Sequence, residues 1–231
     1  MLVGPEGREE PFTIHRDLIC STSKFFKAAC SKLWAEGKEK VVRLPEIDVD
    51  IFQAYVVWVY HGKVAVNKLD TNGGKATAHD EMRETVGLYL LGDVIDDILL
   101  RNAAMRVLVT QSKVWMCQAQ TDLLNHIWES TPPKSLLRKM IVDKTIMRLD
   151  RGSMTDDTMA DYPKDMLHCI ARALMMKSTH VTYDVFASGL DGYLEPETSN
   201  DPEKPKRFAL RKFPQGFQSL RALLSCNGHQ E

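Results

Sequence analysis

The chain has 231 residues, 44% of them hydrophobic and 26% charged, with a formal net charge of −1. That is ordinary globular composition, long enough for one large or two small domains with a buried core, and it excludes a fibrous or wholly disordered chain. The near-neutral balance supplies no global attraction to nucleic acid or an anionic membrane, so neither is expected as a partner.

Five cysteines, Cys20, Cys30, Cys117, Cys169 and Cys226, are scattered and odd in number. None of their spacings is that of a zinc knuckle, so free thiols in a reducing compartment are expected. Charges begin at Glu6 and cluster at Arg8-Glu9-Glu10, unlike a signal peptide. No apolar run approaches the ~20 residues that cross a bilayer, and there is no Asn-x-Ser/Thr acceptor. The expected location is intracellular, cytoplasmic or nuclear.

Met1–Val3 is apolar, Gly4-Pro5-Glu6-Gly7 is a turn signal, and Pro11-Phe12-Thr13-Ile14 is β-prone, which together predict a hairpin with a polar tip at Arg8–Glu10. Asp17 to Cys20 opens a helical spacing. Ser21-Thr22-Ser23 then offers N-caps for a second short helix carrying Phe25, Phe26 and Ala29. Val41-Val42-Arg43-Leu44 before Pro45 predicts a strand with a hard stop. Asp48 is placed to cap a helix whose stripe is Ile51, Phe52, Tyr55, Val56, Val59 and Tyr60, with Gly62 at its end.

The polar stretch from Asn67 to Asp80 is expected to be a surface loop. Two helices follow it, striped by Val86, Tyr89 and Leu90 and by Ile95, Ile98, Leu99, Met105 and Val109, with a break near Asp93. Beyond about residue 112 only helical signals remain: Gln118–Glu129, an interruption at Thr131-Pro132-Pro133, then Leu136–Arg148. Asp150–Asp161 is a predicted loop, and Pro163 fits the first turn of a helix running to Met175. From Glu195 onward four prolines and dense charge predict a largely disordered tail. The fold class expected from this order is α+β followed by an all-helical region.

Motifs that would carry catalysis are weak. Asn72-Gly73-Gly74-Lys75-Ala76-Thr77 has Leu69 where a phosphate loop needs its first glycine and Ala76 where it needs a hydroxyl. There is no Gly-x-Ser-x-Gly elbow. His168 and Cys169 are adjacent, so on a helix they point about 100° apart, and Cys169 is expected in the core with Met166, Leu167, Ile170 and Leu174. The histidines lack the i,i+4 spacing of helical zinc sites. Asp96-Asp97 and Asp156-Asp157 are read as a helix-end pair and a loop pair. No catalytic, cofactor or metal residues are therefore assigned, and the chain is not expected to be an enzyme. Lys204-Pro205-Lys206-Arg207 with Arg211-Lys212 is a basic cluster of the kind that serves as a nuclear-import address or merely solvates a tail.

One stretch is more specific. Phe12-Thr13-Ile14-His15-Arg16-Asp17-Leu18 with Ser23-Lys24-Phe25-Phe26 resembles the signature of BTB/POZ domains, in which a strand ends in Phe-x-x-His and Ser-x-x-Phe opens the next helix. Val41–Leu44, Phe52 and Trp58-Val59-Tyr60-His61-Gly62 are similar to the family's strand, Phe and aromatic-x-Tyr-x-Gly segment. Leu88–Asp93 and Leu100–Ala104 are similar to its closing helices. The variant is the one common in filamentous fungi.

The resemblance implies a BTB/POZ-like small sheet flanked by helices over residues 1–110, a helical extension over 111–194 and a basic, proline-rich tail over 195–231. Phe12, Leu18, Phe25, Phe26, Leu44, Phe52 and Tyr60 are expected in the core, and His15 as a buried, hydrogen-bonded histidine. It further implies a non-catalytic module that docks partner proteins. One alternative is a substrate adaptor for a cullin-type ubiquitin ligase, with Trp34 and Glu36 of Trp34-Ala35-Glu36 as the docking pair and Trp34 either exposed or packed on its own domain. Another is a transcriptional co-regulator that recruits corepressors. A homodimer stays open, because the first strand is expected to be short.

Overall fold

Leu2 and Val3 form the middle strand, β1 (Leu2–Val3), of a three-stranded sheet in the computed structural model, which describes residues 1–31, 41–64, 78–110, 121–148, 159–175 and 189–197. β2 (Glu10–Pro11) returns antiparallel, pairing Leu2 with Pro11 and Val3 with Glu10. β3 (Arg43–Leu44) joins the other edge in parallel, pairing Leu2 with Arg43 and Val3 with Leu44. The expected hairpin forms, but its second strand is Glu10–Pro11 rather than Pro11–Ile14. Pro11, lacking an N–H, lies on an edge strand, where a missing ladder donor is tolerated.

Helices surround this sheet, and their ends follow from single polar residues. Ser23 separates α1 (Arg16–Thr22) from α2 (Lys24–Ala29) and caps the second, its Oγ accepting the Phe26 N–H at 3.0 Å. Asp48 caps α3 (Val49–His61), accepting from the N–H groups of Asp50 and Ile51. Gly62 ends that helix at φ +66°, a left-handed conformation that favours glycine, with its N–H on the Trp58 carbonyl at 2.7 Å. α4 (Ala78–Val94) begins inside the stretch expected as a loop, the rest of which lies outside the described residues. α4 packs along much of its length on α5 (Ile98–Thr110), and the break between them falls at Ile95–Asp97 rather than at Asp93.

Among the described residues only helices follow: α6 (Thr121–Ser130), α7 (Leu136–Arg148), α8 (Lys164–Met175) and a short 3₁₀ turn at Leu190–Tyr193. The fold class is therefore α+β, a small sheet flanked by helices and followed by an all-helical region. The stripe expected on α8 is narrower than its sequence suggests. Met166 and Ile170 are buried, whereas Cys169 is exposed and Leu174 is 51% exposed, because α8 turns only its i,i+4 row into the protein. Among the described residues no helix is long and apolar enough to cross a membrane.

A single hydrophobic cluster runs through the whole arrangement. Val3, Phe26, Phe52, Tyr55, Leu88 and Leu100 are buried around the sheet, and the cluster continues through Leu108, Leu123, Ile127, Leu137 and Met140. The helices after residue 110 thus extend the first core rather than build a second. Buried Lys144 of α7 ties the two parts together by donating to the Leu108 carbonyl of α5. Arg138 does similar work locally: it donates to Thr131 Oγ1 at 2.9 Å and lies 5.3 Å from the Trp128 ring centre.

α3 and α4 approach closely at Gly87, where a Cβ would sit 2.5 Å from Ile51 Cδ1. The α3–α4 contact therefore depends on a missing methyl group. Gly87→Ala should destabilise the protein by about 1–3 kcal/mol, although alanine is the better helix former. Adding Ile51→Ala should return part of that loss relative to the sum of the single substitutions, as urea melts of the four proteins would show.

Candidate protein-docking face

The residues that carry the resemblance meet in pairs drawn from distant parts of the chain. Half-buried Phe12 packs edge-on against Phe52, ring centres 5.0 Å apart. Phe26 stacks with Tyr55 at 6.2 Å, and Leu44 is buried beneath the sheet. His15 and Tyr60 form a third pair, Nδ1 to hydroxyl 2.7 Å, with the His15 backbone N–H also donating to that hydroxyl at 3.2 Å. Three expectations need correcting here. His15 is exposed rather than buried, Tyr60 is 43% exposed and Leu18 is 39% exposed. The resemblance implied core for all three, but α1 lies on the surface and buries only Ile19 fully, and Tyr60 lies near the solvent-facing end of α3.

A junction of two helix turns lies behind this pair. Thr22 Oγ1 donates to Asp97 Oδ2 at 2.6 Å, Ser23 Oγ donates to the Ile95 carbonyl at 2.6 Å, and the Leu100 N–H donates to Asp97 Oδ1 at 3.0 Å. Burial raises the pKa of the Asp97 carboxyl, while the Thr22 and Leu100 hydrogen bonds pull it back down. The sequence reading of Asp96-Asp97 as a helix-end pair holds. Its buried hydrogen bond to Thr22 was not foreseeable, because 75 residues separate the partners.

In front of the junction an open groove of about 380 Å³ is bounded by Leu18 and Thr22 of α1, Trp58, Val59 and Gly62 at the end of α3, and Leu99, Ala103 and Arg106 of α5. Leu99 is 40% exposed, so together with Leu18 it gives the groove two apolar edges open to solvent. The space is large enough to take one or two inserted side chains.

Glu197 also lines the groove, and its segment rests on α5. Arg101 donates from Nε and Nη2 to the two carboxylate oxygens of Glu195, each at 2.5 Å, and from Nη1 to the Gly92 carbonyl at 3.1 Å. Burial alone would lower the Arg101 pKa, but the Glu195 hydrogen bonds and charge outweigh it and hold it above its ordinary value. The sequence places Glu195 at the start of a disordered tail; Glu195–Glu197 are instead bound to α5, and residues 198–231 lie outside the described residues. The missed signal was Arg101-Asn102, a polar pair buried on a largely apolar helix.

Nucleophilic chemistry finds little support. Burial first, then the neighbouring Cys30, pushes the Cys20 thiol up to about 11, so it stays protonated at neutral pH. Among the described residues no group of three or more His, Cys, Asp or Glu side chains is placed to hold a metal ion. Trp34 and Glu36, the phosphate-loop-like segment and the basic cluster all lie outside the described residues.

Residues 4–95 match the family model for the BTB/POZ domain, so this part of the chain is similar to those domains. A BTB/POZ domain is a protein–protein interaction module. No curated protein matches the chain.

Asp97 offers a direct test of the junction. Asp97→Ala removes a helix cap and leaves the Thr22 hydroxyl unpaired, and should cost about 2–4 kcal/mol. Asp97→Asn keeps an acceptor for the Leu100 N–H and should cost about 1 kcal/mol, both read from denaturant unfolding.

Proposed function

We propose that this protein is a non-catalytic interaction module that docks partner proteins in the groove between α1, the end of α3 and α5. The observation that carries this reading is the pair of solvent-open apolar edges, Leu18 within the region similar to BTB/POZ domains and Leu99 just beyond it. Two partly exposed leucines on one groove form an apolar rim of the kind that interaction surfaces carry. The partner is a protein, and a second copy of the chain is one candidate. The sites of action that go with this reading are the cytoplasm and nucleus, with Lys204–Arg207 as the import address. The domain boundaries that go with it are 1–110, 111–194 and 195–231, and the residue pattern is that of the fungal variant of the family.

The adaptor reading is narrower and rests on Trp34-Ala35-Glu36, a hydrophobic-x-Glu triplet in the position where adaptors of the family meet a cullin-type scaffold. A co-regulator that recruits corepressors uses the same docking logic with a DNA-binding partner.

Leu18→Asp with Leu99→Asp should deplete the specifically bound proteins in quantitative affinity purification by about tenfold, as for loss of interface anchors. Because both side chains are already partly exposed, the melting temperature should hardly change. Retention of the same partners at the same levels would overturn the reading. For the adaptor role, Trp34→Ala should weaken binding to a purified cullin-type scaffold about tenfold without lowering the melting temperature. Failure of the wild-type chain to bind any such scaffold would remove that role and leave the module reading intact.

A further inference from the structure

The contacts of Glu195-Pro196-Glu197 have the form of peptide recognition. Asn102 Oδ1 accepts the Glu195 N–H at 2.8 Å, and Asn102 Nδ2 donates to the Glu195 carbonyl at 2.9 Å. One side chain thus reads both backbone groups of one residue, as a neighbouring strand would. That pairing requires an extended backbone. Leu194 is extended at φ −97°, ψ 145°, and the residue before a proline is biased the same way. Pro196 has no N–H, so the pairing stops after one residue.

Side chains add specificity on either side. Arg101 takes the first glutamate through two N–H groups, the arrangement in which arginine reads a carboxylate best. Asn102 Nδ2 at 3.1 Å and Arg106 Nη2 at 3.2 Å take the second glutamate at one carboxylate oxygen. Those two contacts hold the Glu197 carboxyl below its ordinary range, so it is charged at neutral pH.

Two observations make this occupant replaceable. The Arg106–Glu197 pair is solvent-exposed on both sides, 48% and 43%, which makes it a weak tie. Buried Arg101 also keeps company without the strap, since Asp93 and Asp96 lie 3.8 and 3.9 Å from its Nη1. Departure of Glu195 therefore does not strand a buried charge, the situation that makes most such contacts permanent. The anchoring lies upstream, where Tyr193 is buried, donates to Asp143 at 2.8 Å and stacks under the Lys139 ammonium at 4.1 Å.

We propose that Arg101, Asn102 and Arg106 form a receptor for an extended peptide with glutamates at i and i+2, presented by a partner protein, and that Glu195-Pro196-Glu197 is its resident occupant, displaced when the partner binds. The strap then acts as an internal competitor, and its withdrawal also removes Glu197 from the groove lining.

The test uses the full chain and a fluorescent peptide with the sequence of residues 190–198, followed by anisotropy. In the wild type the tethered strap should outcompete the peptide, because a short tether gives it a millimolar effective concentration. Glu195→Gln with Glu197→Gln should bind the peptide about tenfold tighter than wild type, since the tethered competitor has lost both charges. Adding Arg106→Glu to that variant should weaken binding about tenfold, and a peptide with lysine at the second glutamate position should restore it, as expected for a charge pair that sets specificity.

Should the double variant fail to fold, Glu197→Lys carries the test alone: it leaves the Arg101–Glu195 contact in place and should still bind the peptide about threefold tighter than wild type. Equal binding by wild type and the opened variants, or binding indifferent to Arg106→Glu, would overturn the proposal. The groove experiment reads protein partners on Leu18 and Leu99, whereas this one reads a peptide on Arg106, so either can fail while the other stands.

Discussion

The architecture depends on one exchange of hydrogen bonds between two sharp helix breaks. At the first, Thr22-Ser23 ends α1 and starts α2; at the second, Ile95-Asp96-Asp97 ends α4 and starts α5. Each break leaves polar groups that its own helices cannot satisfy, and the other break supplies the partners. Ser23 donates to Ile95, the Lys24 and Phe25 N–H groups reach the Asp96 and Ile95 carbonyls at 3.3 Å, and Thr22 reaches Asp97. The arrangement forces Asp96 to φ +47°, a conformation that a non-glycine residue adopts at some cost. That strain sits where the surrounding bonds over-determine the backbone. With the junction set, α5 is fixed against α4, and the groove is the space that residues of α1, the end of α3 and α5 line together.

Much of this was legible in the sequence, and for local reasons. A Ser before Lys-Phe-Phe, an Asp before an apolar stripe and a Gly after it are one-residue signals for caps, and Ser23, Asp48 and Gly62 all act as read. The Phe12, Phe26, Leu44 and Phe52 positions fill the core or its margin as expected. Burial of a residue on a short surface helix is a different matter. Leu18 and Tyr60 lie within apolar sequence, yet both face solvent, because the number of neighbours that cover a side chain depends on how α1 and α3 sit on α5 rather than on spacing. The signature residues therefore divide into two sets, one that builds the core and one that shapes the face.

The candidate site was harder to read because its contacts are nearly all remote. Asp97 meets Thr22 across 75 residues, and Arg101 meets Glu195 across 94. In one dimension Arg101-Asn102 reads only as an interruption of an apolar stripe, and Glu195-Pro196-Glu197 as the start of a polar tail. Neither half has meaning without the other. A charged side chain at a core position of a helix announces that something must reach it, but not what.

One feature of the core has consequences for how the protein opens. The Lys144 ammonium, itself buried, donates to the Leu108 carbonyl in the last turn of α5, where the helix can no longer satisfy its own carbonyls. The end of α5 is thus sealed by a residue of α7, in a cluster where Leu108, Leu137 and Met140 share one apolar interior. The family-like region and the helices beyond it form a common cooperative unit in this respect. A loss of order in α7 would uncover the Leu108 carbonyl and the apolar side chains around it, so it would be felt at the helix that carries both the groove and the strap.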